Sequence, residues 1–321
     1  MSSRSWVLGA GGLAVSLVLF ACFLVAYAGA LHNPQPHAVP IGVVEPRTAA
    51  ALEASGGAFM PRMQRDLGEL KQALRERKIA GGLIGPRLYV ASAASFTTSS
   101  YLAAAFRQQN PSLQVVDIRP LPRGDSRGVT LFYATLAWVF AGYLGATVMT
   151  TLFGPASPGH RRAALRIGGL ALMSLMTGLI GALILNQALG AITSNFFGLA
   201  GVGALTAFAV AASTSALQSA LGLPGTLVAL TAFVMLGNSS SGGAFEGTFT
   251  PGFWQTIGPW LPSGAAVSAL KGAVYFGSTN IGGRLAVLSA YVLVGAVVTV
   301  AFGLRRGLRL PETEVAAAAA I

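Results

Sequence analysis

Charge is the scarcest commodity in this chain. Charged residues make up 10% of its 321 positions, where a soluble domain carries roughly a quarter. So few charges cannot clothe the surface of a soluble protein of this length, which excludes a soluble globular fold. Apolar residues reach 53% and the mean hydropathy is +0.64. A single cysteine, Cys22, rules out an intramolecular disulfide and any cysteine metal cluster. The three histidines, His32, His37 and His160, are scattered and read as solvated, and no H-E-x-x-H occurs. There is no G-x-x-x-x-G-K-[ST] phosphate loop and no G-x-S-x-G elbow. No enzymatic site and no cofactor are therefore expected in this chain.

Ionisable groups are also missing from the long apolar runs, six of which are expected to cross a membrane. They are Trp6–Leu31, Val129–Leu152, Ile167–Leu189, a run from Phe196 to Ser213 or slightly beyond, Leu223–Leu236 and Leu285–Leu304. Proton- and ion-coupled transporters place charged side chains at mid-membrane, so the chain is not expected to couple to an ion gradient by itself. The first run is roughly 25 residues, longer than the 7–15 of a signal-peptide core, and reads as an uncleaved anchor. Asn186 and Gln187, near one end of the third run, read as interhelical hydrogen-bonding groups. Gly9, Gly12, Gly178, Gly181, Gly198 and Gly201 read as close-packing positions.

The polar residues concentrate in one place. The segment His32–Gly128 holds 12 of the 21 basic and 7 of the 10 acidic residues. Short apolar runs alternate there with helical stretches, which predicts an α/β module. Strands are expected at Val39–Val44, Gly81–Ile84, Leu88–Ala91 and Leu113–Ile118. A helix is expected at Met63–Ile79, with Leu67, Leu70, Leu74 and Ile79 on one face, and another at Thr97–Gln109. The stretch Arg119–Gly128 reads as a polar linker into the membrane. The resulting division is 1–31 for the first span, 32–128 for the α/β domain, 129–304 for spans two to six and 305–321 for a polar, alanine-rich tail.

Between the fifth and sixth runs lies a moderately apolar region, 237–283. Its two proline-bounded pieces, Pro251–Trp260 and Pro262–Phe276, are too short to span and read as re-entrant or interfacial helices. Trp254, Trp260 and Tyr275 are expected at headgroup level, with Pro262 opening the second piece. Glu246 and Lys271 are expected to lie in water at the outer surface, with a place in a substrate path as the sharper alternative.

Arginine in the short loops sets the expected orientation. Arg4, the loop Gly154–Arg166 with Arg161, Arg162 and Arg166, and the tail with Arg305, Arg306 and Arg309 all share one side when six spans are counted. The termini are therefore expected in the cytoplasm and the α/β domain outside. The net charge of +11 suits anionic lipid headgroups; the basic residues lack the aromatic interleaving of a nucleic-acid surface, so no nucleic acid is expected as a partner. The richness in Ala, Gly, Val and Arg, with little Lys, looks like a high-GC bacterial chain, which places it in a cell membrane.

Several stretches resemble actinobacterial ABC-2 family permeases with a large extracellular domain: HNPQPH followed by VPIGVVEP, LYVASAAS at Leu88–Ser95, VVDIRPLPRGDSRG at Val115–Gly128 and GPWLPSGAAVSALKGAVYF at Gly258–Phe276. The last also resembles the phage infection protein group. The resemblance implies six spans per protomer, a homodimer, and a separate ATPase that powers export of an amphipathic or lipid-like substrate. Such permeases usually carry a cytoplasmic amphipathic helix before the first span, and only Met1–Ser5 precede it here. A docking surface for the ATPase would then come from Arg161, Arg162 and Arg166. The alternative is a non-transporting membrane receptor or scaffold whose outer domain binds an envelope component or protein partner.

Overall fold

A computed structural model describes residues 3–155, 157 and 159–307; the expected tail lies outside the described residues beyond Gly307. Helix α1 (Ser3–Leu31) leads into the α/β domain. That domain contains β1 (Val39–Val43), α2 (Pro46–Glu53), β2 (Phe59–Met63), α3 (Leu67–Arg75), β3 (Gly81–Ile84), β4 (Arg87–Val90), α4 (Phe96–Gln109) and β5 (Gln114–Asp117). The strands form one sheet in the order β2-β1-β3-β4-β5. All pairings are parallel except β3 with β4.

The sheet is sandwiched between helices, and β3 shows why. A Cβ at Gly81 would meet Leu102 Cδ1 of α4 at 2.8 Å, and one at Gly82 would meet Leu70 Cδ2 of α3 at 2.5 Å. Successive residues of a strand face opposite sides, so two glycines in succession let α4 and α3 sit close on the two faces. One core gathers Val39, Ile41, Leu88, Leu102 and Phe106, the other Leu70, Leu74, Ile79 and Tyr89. The strands at 39–44, 81–84, 88–91 and 113–118 are borne out to within a residue or so. The helix expected over Met63–Ile79 is shorter: Asp66 accepts a hydrogen bond from the Glu69 amide and starts α3 there, while Met63 ends β2. The chain also adds α2 and β2, where Pro61 is tolerated because β2 is the edge strand.

The membrane part begins with α5 (Thr130–Phe153), α6 (His160–Leu183, continued by a π turn to Ala188) and α7 (Phe196–Leu221). It continues with α8 (Leu223–Ala229), a π segment and α9 (Gly237–Ser239), then α10 (Gly252–Ile257), α11 (Pro262–Tyr275) and α12 (Gly282–Gly307). Among the described residues five helices are long and apolar enough to cross a membrane: Ala10–Leu31, Thr130–Phe153, His160–Ala188, Phe196–Leu221 and Gly282–Arg305. The stretch expected as a fifth span is the shorter apolar helix Leu223–Ser239, so a six-span count is not established by helix length. Helix α7 is the hub, buried between α5, α6 and α12. Helix α1 stands at the edge and turns Leu13, Leu17, Phe20 and Leu24 outward.

The third span starts earlier than its apolar run suggests. Helix α6 begins at His160, so Arg161, Arg162 and Arg166 stand on a helix rather than in a loop. The α/β domain sits at the end of the bundle where α5 and α12 begin and α11 ends. At the opposite end, the Gly159 amide donates to Gly303 O and Ser219 donates to Pro155 O. The apolar helix Leu223–Ser239 starts at that far end, with Gly225 packed on Leu217 O, and returns to Asn238, which accepts from Ser263 of α11.

Candidate functional site

Helix α11 is the pivot between the two parts. Its first turn packs deep in the bundle, Ala265 and Ala266 lying with Ala209 of α7 and Leu288 of α12. Its last turn reaches the α/β domain, where Tyr275 Oη donates to Asp125 Oδ2 at 2.9 Å. Asp125 also accepts from the Val129 and Thr130 amides, so one buried carboxylate starts α5 and pins α11. The Arg119 side chain donates to Tyr275 O. These bonds make a braced joint rather than a flexible tether. Tyr275, expected at headgroup level, is instead buried at 7% exposure, because Asp125 satisfies its hydroxyl. The second proline-bounded piece is a helix of 14 residues, whose N-terminus lies mid-bundle and whose C-terminus meets the α/β domain.

Between the joint and the bundle lies a cavity of about 520 Å³, within the roughly 300–1,000 Å³ of small-molecule sites. Gly264, Val267, Ser268 and Lys271 line it from one face of α11, at helical spacing. Arg77, Arg284 and Glu246 close it from other elements. Arg77 follows the end of α3 with φ +57°, a left-handed conformation that a non-glycine side chain adopts at a cost. That turn throws its guanidinium across onto α11, where Nη1 donates to Ser268 O at 2.8 Å and Nη2 to Thr279 O at 3.3 Å. Its Nε is buried without a partner. Arg284, in the first turn of α12, donates to Pro259 O. Glu246 Oε2 accepts from Thr98 Oγ1 at 2.6 Å, which ties the cavity to the start of α4.

The charge balance of this wall is lopsided. Among the described residues the ion pairs are Arg65–Glu69 and Lys78–Glu76, so Arg77, Lys271 and Arg284 have no carboxylate in salt-bridge contact. Glu246 is the sole acidic residue between Asp125 and Glu312. Lys271 makes no hydrogen bond to protein among the described residues; it keeps part of its surface open to the cavity while protein encloses it. Burial pushes the Lys271 ammonium below its usual range, with Glu246 opposing and Arg77 reinforcing the shift. Burial likewise lowers Arg77, helped by repulsion from Arg284 and opposed by Glu246.

Glu246 and Lys271, expected in open water, are therefore partly enclosed wall residues of one cavity. The reason is the α/β domain, which folds down over α11 and covers what would otherwise be an exposed face. Trp254 packs against α1, its ring 2.9 Å from where a Gly29 Cβ would be, while Trp260 is 68% exposed as expected of an interfacial ring. Pro262 is buried at the start of α11. At the far end Arg161 is exposed and Arg162 half-buried. Arg166 departs from expectation: it is 5% exposed and held inside by Gly154 O, Thr150 and Gln218, so it is not free to dock a partner. Asn186 donates to Ile192 O, a local turn bond rather than an interhelical one. Gly178 does lie at a seam, against Ala200 O of α7. His32 and His37 make only local contacts and are exposed, as expected.

Arg77 and Arg284 were invisible as a pair in the sequence, since they lie on opposite sides of the membrane helices in chain order. The one available signal was the isolation of Glu246. No protein-family profile, characterised protein or solved structure matches the chain.

Proposed function

We propose that the chain is a permease subunit of the ABC-2 type that moves an amphipathic or lipid-like molecule across the cell membrane, powered by an ATPase on another chain. The observation that carries this is the cavity: it runs from beneath the α/β domain down one face of α11 to a helix N-terminus inside the bundle. A receptor domain that only displays a binding face has no need of such a joint. The energy must come from elsewhere, because the sequence has no phosphate-binding loop. The permease functions as a homodimer, and Leu223–Ser239 serves as the fifth of six crossings. Its 17 residues rise about 25 Å, and the polar loop that follows completes the return to the outer face.

Six crossings put both termini in the cytoplasm and the α/β domain outside. In a Cys22→Ser background, an impermeant maleimide added to intact cells is expected to label Ala50→Cys, and to label Arg161→Cys only after permeabilisation. Labelling of Arg161→Cys in intact cells overturns the orientation.

With Arg166 buried, Arg161 and Arg162 form the basic pair offered to the ATPase. The double charge reversal R161E/R162E is expected to abolish co-purification of an ATP-binding subunit while leaving membrane insertion intact. If the wild-type chain brings down no ATPase, the export mechanism falls and the receptor or scaffold reading takes its place.

A further inference from the structure

We infer that the cavity between the α/β domain and α11 is a binding site for a phosphate-bearing anion, the headgroup of an anionic lipid, held by Lys271, Arg77 and Arg284. The inference deepens the permease reading by giving its substrate a headgroup chemistry, and rests on that reading only for how the ligand arrives.

Four cations, Arg77, Lys78, Lys271 and Arg284, and two carboxylates, Glu76 and Glu246, line one partly open cavity. Glu76 is paired with Lys78 and Glu246 is engaged by Thr98, so Arg77, Lys271 and Arg284 are left without a carboxylate partner among the described residues. Enclosing like charges is costly unless a counter-charge completes the set. Protein supplies too little: Lys271 has no hydrogen-bond partner among the described residues, and Arg77 Nε is buried and unpaired. A bound anion would give Lys271 its missing partner and offset the charge of Arg77. The groups are suited to phosphate, since lysine contributes a mobile point charge and arginine a planar fork. Ser268 lines the same space and offers a hydroxyl donor, whereas the Ser240 and Ser241 hydroxyls already donate to Leu236 O and Asn238 O. The cavity lies beside the level where the outer ends of the membrane helices meet the domain, which is where headgroups reside, so a lipid can enter head first and keep its tails against the bundle.

The test uses the full chain in a neutral detergent and calorimetric titration with three probes: dihexanoyl phosphatidylglycerol, dihexanoyl phosphatidylcholine and inorganic phosphate. The phosphatidylglycerol is expected to bind one per chain, and the net-neutral phosphatidylcholine to bind far more weakly. Lys271→Gln is expected to weaken phosphatidylglycerol binding about tenfold or more, the worth of a charge-assisted bond, and Lys271→Arg to restore most of it. Lys271 holds no structural bond, so the variant's melting temperature serves as the folding control. The diester's charge is fixed, so binding should weaken as pH rises through the lowered lysine range, and Lys271→Arg should flatten that dependence. Phosphate bound as tightly as the lipid assigns the site to free phosphate and overturns the lipid source. Equal binding of both lipids, or no change in Lys271→Gln, overturns the site itself. ATPase association without lipid binding refutes this inference and spares the permease; lipid binding without an ATPase does the reverse.

Discussion

Arg166→Met is expected to lower the unfolding free energy by about 3 kcal/mol, the scale of breaking a buried charged network. The guanidinium sits where three helices converge. It donates to Gly154 O at the end of α5 at 2.8 Å, to Thr150 of α5 and to Gln218 of α7. Gln218 is fully buried and reaches on to Thr226 of α8. Methionine fills similar volume but leaves the Gly154 carbonyl without this donor and takes one of two donors from Gln218 Oε1, which keeps Thr150 Oγ1; a buried acceptor left unpaired is worth about 1–3 kcal/mol. One nitrogen, Nε, is already unpartnered, which moderates the loss. Arg161→Met, on the exposed start of the same helix, is expected to leave stability within about 0.5 kcal/mol. Thermal unfolding of the two variants in one detergent separates these outcomes. Equal melting temperatures for Arg166→Met and the wild type would return Arg166 to the docking surface expected of it by sequence.

Gly264→Val is expected to be the most damaging small substitution at the cavity, costing more than the roughly 1–3 kcal/mol of ordinary overpacking. A Cβ at Gly264 would lie 2.1 Å from Gly258 O, and one at Gly258 would lie 2.1 Å from Ser240 O. Both clashes are with backbone, which cannot swing aside as a side chain can. Three chain segments are thus stacked at the floor of the cavity, and a branched side chain pushes α11 away from its seat beside Ala209. Gly282→Ala provides the contrast: a Cβ there meets nothing within 4 Å, and alanine suits the start of α12. Limited proteolysis and thermal unfolding report both. The expected result is earlier cleavage in the 240–260 stretch for Gly264→Val and wild-type behaviour for Gly282→Ala.

Much of the architecture was legible because the bilayer imposes a simple pattern. Long uncharged runs at Trp6, Val129, Ile167, Phe196 and Leu285 became helices since hydrocarbon leaves backbone polar groups no other partner. The α/β domain was readable wherever a buried face set the period. Leu70 and Leu74 are fully buried, as their spacing predicted, whereas Leu67 at the start of α3 is 36% exposed. The edge strand β2 escaped notice because Pro61 interrupts it and none of its residues is buried, so no period-2 pattern marks it. The start of α6 was misplaced for a different reason. Arginine reads as a loop residue until a structure shows it satisfied inside.

The sequence by itself determined the class of the protein, the place of its long apolar helices, the separate α/β domain and the absence of a nucleotide-binding loop, because each depends on composition and local period alone. Only the tertiary structure decided which polar residues share a space. Arg77, Glu246, Lys271 and Arg284 are spread over more than two hundred positions, and Arg166 and Gln218 over fifty-two. Nothing local requires either group to meet. The cavity group meets through a left-handed turn after α3, the Asp125–Tyr275 bond and the glycine-lined seat of α11, which fold the α/β domain onto the bundle, and Arg166 meets Gln218 through the packing of α6 on α7; charge is enclosed where the chain alone shows only exposed polarity.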